Sequence, residues 1–416
     1  MAETLVIDRL GAKSDGIAET RAGPVFVPGA LPGETVAVER HGGRADLVAV
    51  EAPSPERAEP FCPYFHECGG CATQHMSQGL YQAWKRDIVA GALRQARIET
   101  ELAPLVDAHG DGRRRVTLHA RYAGRETHVG YMAPRSHHLV EIAFCPIAEA
   151  AIRERAPAVA KALATRLARS GKPLDIQVTA SLAGPDVDIR GHGPLKDPDR
   201  LALVELAREL DLARLSLHGE VVVELNPPVQ PMGRAAMVPP PGGFLQATRL
   251  GEETLAGLVV EACAGAKRVA DLFAGCGPFS LRLAERADVH AVETERGSLA
   301  ALDKAARATP GLRRVTTEPR DLFRRPLLSL ELKGYDAVVL DPPRAGAEAQ
   351  VRQLALSQVA TVASVSCDPG TFTRDAGILI AAGYRLERVV PVDQFKHSPH
   401  VELVGVFRRP AAKRRR

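Results

Sequence analysis

The sequence of 416 residues has no run of about 18 consecutive apolar residues, the length that a membrane-spanning helix needs. Its N-terminus, MAETLVIDRL, carries an acid early and lacks the apolar segment of a secretory signal. We therefore expect a cytoplasmic protein with no membrane partner. Only seven cysteines are present, and an odd number in a compartment that keeps thiols reduced does not suit a disulfide framework.

The sequence also has little excess of either charge, because its 54 Lys and Arg and 50 Asp and Glu residues leave a net charge of only +4. Such a small excess does not by itself identify a nucleic-acid-binding protein. Basic residues cluster in two runs, GRRRV at 112–116 and FRRPAAKRRR at 407–416. Each run is either a solvated surface or a set of contacts to the phosphates of a nucleic acid.

The order of strand-like and helix-like segments predicts three domains. Residues 1–56 contain short β-branched runs between glycines and prolines, typical of a small barrel of the oligonucleotide-binding kind or of an undifferentiated β-module. Residues 57–235 mix helices and strands in an α+β pattern. Residues 236–416 alternate apolar strands with amphipathic helices, which predicts a doubly wound α/β sheet with ligands beyond the carboxyl ends of its strands.

A glycine turn, VADLFAGCGPFS, opens the α/β segment. Gly275 and Gly277 let the backbone approach a ligand. Glu293 ends the next strand, about 20 residues after Asp271, where an acid suits ribose hydroxyls. A dinucleotide and S-adenosylmethionine both fit, although the turn lacks the third glycine of the dinucleotide fingerprint. Asp321, in EPRDLF after the third strand, is positioned to approach an adenine.

The stretch LDPPRAG follows the fourth strand of this segment. It is unlike the strand end of a dehydrogenase and resembles the Asp-Pro-Pro motif of nucleic-acid methyltransferases. This favours S-adenosylmethionine as the ligand. The alternative is that Asp341 caps the helix that AGAEAQVRQLAL predicts.

Four cysteines form a set of three plus one. Cys62, Cys68 and Cys71 have the spacing C-x5-C-x2-C, and Cys145 follows much later in AFCPIAEA. Four thiolates suit zinc or an iron–sulfur cluster. Zinc ligands commonly come as two pairs, so the grouping favours a [4Fe–4S] cluster; reduced structural cysteines are the remaining alternative.

Taken together, the motifs resemble those of the bacterial RNA uridine-5-methyltransferases, which form 5-methyluridine in ribosomal RNA or tRNA. The segments FLQ, DLFAGCG, DPPRAG and SCDPGTFTRD follow one another in the order of that family. The N-terminal segment resembles the family's TRAM RNA-binding barrel, and the array C-x5-C-G-G-C with a later CP resembles its iron–sulfur members. The resemblance covers nearly the whole chain.

The resemblance implies a catalytic pair. Cys367 would add to carbon 6 of an unpaired uracil in RNA, and Glu402 would remove the proton from carbon 5. Cys367 precedes a predicted helix, so we expect the helix N-terminus to lower the pKa of its thiol. The predicted S-adenosylmethionine site contains Gln246, Phe273, Glu293 and Asp341 from the resemblance, and Gly275, Gly277 and Asp321 from their positions.

The chain departs from the family pattern at Asp368, where Asn is usual, and at Pro278, where a small polar residue is common. Few aromatic side chains are available to stack on the target base, and Phe244 and Phe395 are candidates. We predict that the protein is a monomer. We also predict that it acts on 23S rRNA, because its first two domains resemble the ribosomal branch of the family. The alternatives are a tRNA uridine, carbon 5 of cytosine, an amino group of a base, and a non-catalytic RNA-binding or assembly factor.

Overall fold

The computed structural model describes residues 3–124, 126–168 and 171–410. Residues 411–416 of the basic tail thus lie outside the described residues. In the parts of the chain that are described, no helix has the length and apolar character to cross a membrane. The chain divides into two compact units. The first comprises Met1–Gly91, Tyr131–Val140 and Phe395–His400; the second comprises Ala92–Gly130, Glu141–Gln394 and Val401–Arg416.

The first unit contains one six-stranded sheet. Its strands are β1 (Glu3–Val6), β2 (Arg9–Leu10), β3 (Gly16–Thr20), β4 (Gly23–Val27), β5 (Thr35–His41) and β6 (Arg44–Ala52). They pair in the order β1-β5-β6-β4-β3-β2. Alternation in β5 turns Val36 and Val38 into the core with Val25 and Val27. The predicted strands are confirmed, and the barrel class stays a prediction.

A helix and two short strands follow: α1 (Gln78–Gln95), β7 (Glu101–Leu102) and β8 (Val106–Asp107). Trp84 of α1 is buried beside Tyr81 and Met76, and its indole N–H donates to the Gly11 carbonyl at 2.9 Å. β7 and β8 pair in parallel with a late strand, β23 (Arg385–Asp393). They extend the C-terminal sheet, although the sequence places them in the central segment.

A seven-stranded sheet occupies the centre of the chain, in the order β11-β10-β9-β12-β13-β14-β15. Its elements are β9 (Arg115–Ala123), β10 (Glu126–Met132), β11 (Leu139–Glu141), α2 (Ala150–Arg153), α3 (Arg155–Arg166), β12 (Leu174–Ser181), β13 (Gly184–Arg190), α4 (Asp197–Glu209), β14 (Arg214–Leu217) and β15 (Glu220–Glu224). A hairpin follows, formed by β16 (Gln230–Met232) and β17 (Ala235–Met237); Gly233, at φ +59°, permits its tight turn.

The C-terminal sheet has the order β20-β19-β18-β21-β22-β24-β23-β7. Its remaining elements are α5 (Arg249–Ala262), β18 (Arg268–Leu272), α6 (Ser280–Leu283), β19 (Asp288–Glu293), α7 (Arg296–Ala308), β20 (Val315–Pro319), β21 (Ala337–Leu340), α8 (Glu348–Ala355), β22 (Thr361–Ser366), α9 (Pro369–Ala381) and β24 (Glu402–Arg408). Strands β18 to β22 are parallel, whereas β24 runs antiparallel between β22 and β23. From β18 the chain adds β19 and β20 on one side and then β21 and β22 on the other. A crevice therefore opens at the carboxyl ends of β18 and β21, where the direction of the strand order reverses.

Candidate active site

The glycine turn leaves β18 through a sharp change of direction. Phe273 has φ +63°, which is unusual for a residue with a side chain, and Gly275 and Gly277 have φ +53° and +82°. A Cβ on Gly277 would meet Leu302 Cδ1 of α7 at 2.3 Å, whereas a Cβ on Gly275 would meet no atom within 4 Å. Gly277 therefore lets α7 pack closely, and Gly275 faces open space.

This contrast predicts different effects for the same substitution at the two glycines. Gly277→Ala is expected to lower the free energy of unfolding by about 3 kcal/mol, because overpacking adds to backbone strain. Gly275→Ala is expected to lower it by about 1 kcal/mol, since only the backbone is strained. Urea denaturation of both variants beside the unmodified protein measures the difference, and equal losses would contradict the packing role of Gly277.

Glu293 holds the glycine turn against the end of β19. Its Oε2 accepts from Gly275 N at 3.0 Å, and its Oε1 accepts from the N–H groups of Thr294 at 2.6 Å and Glu295 at 3.0 Å. Oε2 retains a further lone pair that a ligand hydroxyl can use. The predicted ligand-binding residue thus also shapes the turn.

Asp271 lies beneath the turn and is fully buried. Its Oδ2 accepts from Ser280 Oγ at 2.6 Å, while its Oδ1 has no hydrogen-bond partner within the described residues. Burial, together with the charge of Glu293, raises the pKa of this carboxyl to about 7, against the opposite effect of the Ser280 hydrogen bonds. Asp271 is on the predicted turn, but the sequence assigns no role to it.

A chain of amide hydrogen bonds joins two of the predicted acids. Gln246 Nε2 donates to Asp341 Oδ2 at 3.2 Å, and Gln246 Oε1 accepts from Gln394 Nε2 at 2.6 Å. The same Gln394 amide nitrogen donates to Glu402 Oε1 at 3.2 Å. The structure thus brings Gln246, Asp341 and Glu402 together, through a glutamine that no sequence motif singles out.

Cys367 and Glu402 lie at the same end of neighbouring strands. In the antiparallel register of β22 and β24, Ser366 is paired with Leu403. Cys367 is the next residue after Ser366, and Glu402 is the residue before Leu403. The thiol and the carboxyl therefore come side by side at the carboxyl edge of the parallel strands, as the motif order predicts.

The thiol of Cys367 is more basic than the sequence suggests. Asp368 caps α9 by accepting from Thr371 N at 2.9 Å, so the helix begins where predicted, and the departure from Asn keeps this bond. Nevertheless burial, together with the charges of Glu402 and Asp341, raises the pKa of the half-buried Cys367 thiol to about 11. The expected lowering by the helix N-terminus is wrong, because burial and two acids outweigh it.

Glu402 has an equally perturbed carboxyl. It is buried, and its Oε2 has no hydrogen-bond partner in the described part of the chain. Burial raises its pKa to about 7, against the opposite effects of the Gln394 hydrogen bond and the Arg344 charge. Burial also raises the pKa of Asp341 well above its usual range, together with the charges of Glu402, Asp271 and Glu293. Such perturbed acids at a strand edge are typical of a functional site.

Arg344 is the cation of this group. It is exposed and comes from the DPPRAG segment after β21. Its charge lowers the pKa of both Cys367 and Glu402. The DPPRAG motif contains Arg344, but the residue type alone does not reveal that it faces the thiol.

The middle arginine of the basic run at 112–116 is buried, and its two neighbours are half-buried. Arg114 is 1% exposed; it donates to Glu252 Oε2 at 2.6 Å and to the Gln246 carbonyl at 2.9 Å. Arg115 donates to the Gly243 carbonyl at 3.1 Å and lies 5.2 Å from the centre of the Phe244 ring. Both arginines therefore hold the GGFLQ segment. The prediction of a solvated run is wrong for Arg114, and phosphate contact by the half-buried Arg113 and Arg115 stays a prediction.

The aromatic candidates differ in position. Phe244 is 64% exposed, next to the Gln246 segment. Phe395 belongs to the first unit and packs against His400. Phe273 has its ring 5.4 Å from that of Phe323, and Asp321 accepts from Phe323 N at 3.0 Å. Asp321 thus shapes the turn after β20 beside Phe273.

The cysteine array divides between the two units. Cys62, Cys68 and Cys71 lie in the first and Cys145 in the second. Gly70 N donates to Cys68 Sγ at 3.4 Å, a contact that supports a thiolate. Over residues 3–124, 126–168 and 171–410, no group of three or more His, Cys, Asp or Glu side chains is arranged to hold a metal ion. The metal site therefore stays a prediction.

Comparison with known proteins identifies the family. A family model described as tRNA (uracil-5-)-methyltransferase matches residues 244–410. An uncharacterized RNA methyltransferase of Rhizobium meliloti is 47% identical over 97% of this chain and 99% of that protein. The 23S rRNA (uracil(1939)-C(5))-methyltransferase RlmD of Chromohalobacter salexigens is 34% identical over 96% of this chain and 88% of that protein. The chain belongs to the RNA (uracil-5-)-methyltransferase family.

A solved structure shares the fold of this RNA (uracil-5-)-methyltransferase. It is the tRNA (uracil-54, C5)-methyltransferase of Pyrococcus abyssi in complex with S-adenosyl-L-homocysteine, at 21% identity and a TM-score of 0.73 over 97% of this chain and 99% of that one. The α/β methyltransferase fold is thereby confirmed. The match at residues 244–410 contains the FLQ segment, the glycine turn, Cys367 and Glu402.

Proposed function

We propose that this chain methylates carbon 5 of an unpaired uridine in 23S rRNA, with S-adenosylmethionine as methyl donor and Cys367 as covalent nucleophile. The observation that carries this proposal is the placement of Cys367 and Glu402 side by side at the ends of β22 and β24. Carbon 5 of uracil is a poor nucleophile, so the ring needs activation on one side and a base for the leaving proton.

Cys367 supplies the activation. Its sulfur forms a bond to carbon 6 of the ring, the electron pair of the 5,6 double bond moves to form an enolate, and the thiol proton passes to water. Carbon 5 would then attack the donor's methyl group, the bond from that methyl group to the sulfonium sulfur would break, and S-adenosylhomocysteine would leave with the electrons of that bond. With its pKa raised to about 11, Cys367 is a thiol in the free protein at neutral pH, so it ionises only as it reacts. The positive charge of Arg344 favours that ionisation.

Glu402 completes the reaction. Its carboxylate takes the proton from carbon 5, the electrons of that bond restore the 5,6 double bond, and the carbon–sulfur bond breaks to return the Cys367 thiolate. A base with a pKa of about 7 is well matched to neutral pH.

The acidic crevice suits a cationic methyl donor. The charge of Glu293 raises the pKa of Asp271, and the charges of both raise the pKa of Asp341. One oxygen of Asp271 is also buried without a partner in the described chain. S-adenosylmethionine carries a sulfonium charge that relieves this repulsion and supplies the methyl group. We propose that it is bound by Gln246, Phe273, Gly275, Gly277, Glu293, Asp321 and Asp341.

The RNA target must present its base outside a helix, because a stacked uracil is inaccessible. Phe244, two residues before Gln246, offers an exposed ring for the flipped base or its neighbour. Two features support ribosomal RNA over tRNA. These are the relative RlmD, which methylates 23S rRNA by its name, and the N-terminal strands that resemble a TRAM barrel.

Mapping 5-methyluridine in total RNA from cells with and without this gene tests the proposed function. We expect one 23S rRNA uridine to lose its methyl group in the deleted strain and to regain it on complementation. A loss confined to tRNA would assign the tRNA substrate instead, and unchanged 5-methyluridine in both RNAs would contradict the proposal. The same cytoplasmic extracts, separated by size, test the predicted monomer.

We also propose three domains, 1–56, 57–235 and 236–416, and a structural [4Fe–4S] cluster bound by Cys62, Cys68, Cys71 and Cys145. The donor chemistry fits, since four thiolates and a backbone N–H directed at one sulfur are typical of such clusters. No step of methyl transfer needs a redox centre, so these cysteines would order the surrounding loop.

Purification without oxygen tests the cluster. The unmodified protein is expected to be brown, and Cys68→Ala is expected to lose the visible absorbance together with the bound iron, because one thiolate of four is missing. Cys263→Ala is the matched control, since Cys263 is buried in the α/β core. A colourless protein with one zinc per chain would contradict the assignment.

A further inference from the structure

Gln394 is a fully buried amide at the carboxyl end of β23. It lies outside every motif that identifies the family resemblance. Its side chain touches both parts of the proposed active site, the Gln246 segment and Glu402. A buried amide must have hydrogen-bond partners, because burying one without partners lowers the stability of the fold.

The Gln394 amide makes hydrogen bonds to these two side chains and to the backbone N–H of Ala247. Its two N–H groups donate to Gln246 Oε1 at 2.6 Å and to Glu402 Oε1 at 3.2 Å. Its Oε1 accepts from Ala247 N at 2.8 Å. The third bond fixes which end of the amide faces Glu402, so the donors must point at the carboxyl.

Close packing holds Gln394 in place. A Cβ on Gly251 of α5 would lie 2.7 Å from Gln394 Cβ. Thr248 caps α5 by accepting from Gly251 N at 2.9 Å, and it donates to the Ala108 carbonyl at 2.6 Å. The start of α5 is therefore pressed against Gln394, and the amide has no room to rotate.

We propose that Gln394 is a positioning residue that holds the Glu402 carboxylate and the Gln246 amide in a fixed relation for removal of the carbon-5 proton. This inference rests on the proposed function. In the step concerned, Glu402 takes the proton, the carbon–hydrogen electrons form the 5,6 double bond, and the Cys367 sulfur leaves with the electrons of its bond to carbon 6.

The charges around Glu402 show what the amide contributes. Asp341 and Cys367 face Glu402 from β21 and β22, and Arg344 is the cation nearby. Burial raises the pKa of Glu402, whereas the Gln394 hydrogen bond and Arg344 lower it. Without Gln394, the carboxyl would ionise at higher pH and lose its fixed orientation.

The test is Gln394→Met, which keeps length and volume but removes the donors. With RNA containing the ordinary uridine, we expect the methylated covalent adduct to accumulate on denaturing gels and its breakdown to slow by roughly tenfold or more. The acid limb of the breakdown rate should move to higher pH. If Gln394→Met does not fold, Gln394→Glu carries the test, since a second carboxyl beside Glu402 moves the same limb in the same direction.

Gln350→Met is the matched control, because Gln350 is equally buried but, among the described residues, its side chain bonds only the Leu327 backbone, at 2.8 and 3.0 Å. It should lower stability without moving the pH profile. A Gln394 variant with the profile of the unmodified enzyme and no adduct would overturn the inference. Failure of the unmodified enzyme to make 5-methyluridine would instead refute the proposed function.

Discussion

Replacing Cys367 with alanine is expected to abolish 5-methyluridine formation, with a loss of at least about 10⁴-fold in single-turnover rate. Without the sulfur, no bond to carbon 6 forms, and carbon 5 stays too weak a nucleophile to accept the methyl group. Mass spectrometry of the RNA after incubation with S-adenosylmethionine measures the loss. Binding of the donor should persist, since no proposed contact to it comes from this thiol.

A fluorinated RNA substrate distinguishes a nucleophilic role of Cys367 from a purely structural one. With 5-fluorouridine RNA, the unmodified enzyme is expected to form a dead-end adduct, because no base can remove fluorine from carbon 5. Cys367→Ala should form none. Cys263→Ala, which alters a buried cysteine at the end of α5, should still form it.

The serine variant distinguishes this chemistry from methylation of a base amino group. That reaction needs no thiol, so Cys367→Ser would retain its rate if an amino group were the acceptor. We expect the serine variant to be as inactive as the alanine variant, because a hydroxyl is a much weaker nucleophile toward carbon 6. Full activity of either variant would refute the covalent mechanism.

The sequence predicts the parts of this site that lie within single motifs. Alternating strands and helices predict a doubly wound, mainly parallel α/β sheet, and this topology gathers motifs at strand ends along one edge. Together with the family resemblance, which supplies the role of Glu402, this topology predicts that Cys367, Glu402 and Asp341 lie near one another. The strand carrying Glu402 lies next to that of Cys367, as the family order implies.

The sequence does not predict partners that come from distant segments. Gln394 contacts Gln246 across 148 positions, and Arg114 contacts Glu252 across 138. Neither pairing has a local signal, since both depend on which helix packs over which strand. For the same reason the sequence predicts an exposed run at 112–116, whereas its middle arginine is buried.

The sequence predicts the wrong sign for the pKa shift of Cys367, for a related cause. A helix N-terminus is visible in the sequence, and its effect is local. Burial and the two facing acids depend on the assembled sheet, and they raise the pKa of the thiol to about 11. The local effect is smaller than the effects that only the fold creates.

Glu402→Gln is expected to stop the reaction one step later than the change at Cys367. The amide is close in shape to the carboxyl and can still accept from Gln394, but it cannot take the carbon-5 proton. Methyl transfer should proceed, and the methylated adduct with ordinary uridine RNA should persist about 10²- to 10⁴-fold longer. Denaturing gels resolve this adduct.

The pH dependence follows from the raised pKa of Glu402, about 7. The carboxylate is the active form, so adduct breakdown in the unmodified enzyme should rise as pH increases through about 7 and level off above it. Glu402→Gln cannot titrate, and this limb should disappear. Glu387→Gln is the matched control, because Glu387 lies half-exposed on β23 beside Arg385 and should leave the limb unchanged.

RNA containing 5-fluorouridine shows at which step of the reaction Cys367 and Glu402 each act. Because its adduct is already unable to lose the carbon-5 substituent, Glu402→Gln should form it as well as the unmodified enzyme does, whereas Cys367→Ala cannot form it. An adduct that fails to appear with Glu402→Gln would place this acid before methyl transfer, as the acceptor of the thiol proton. Appearance of the adduct with both substrates places Glu402 after methyl transfer, where the carbon-5 proton is removed.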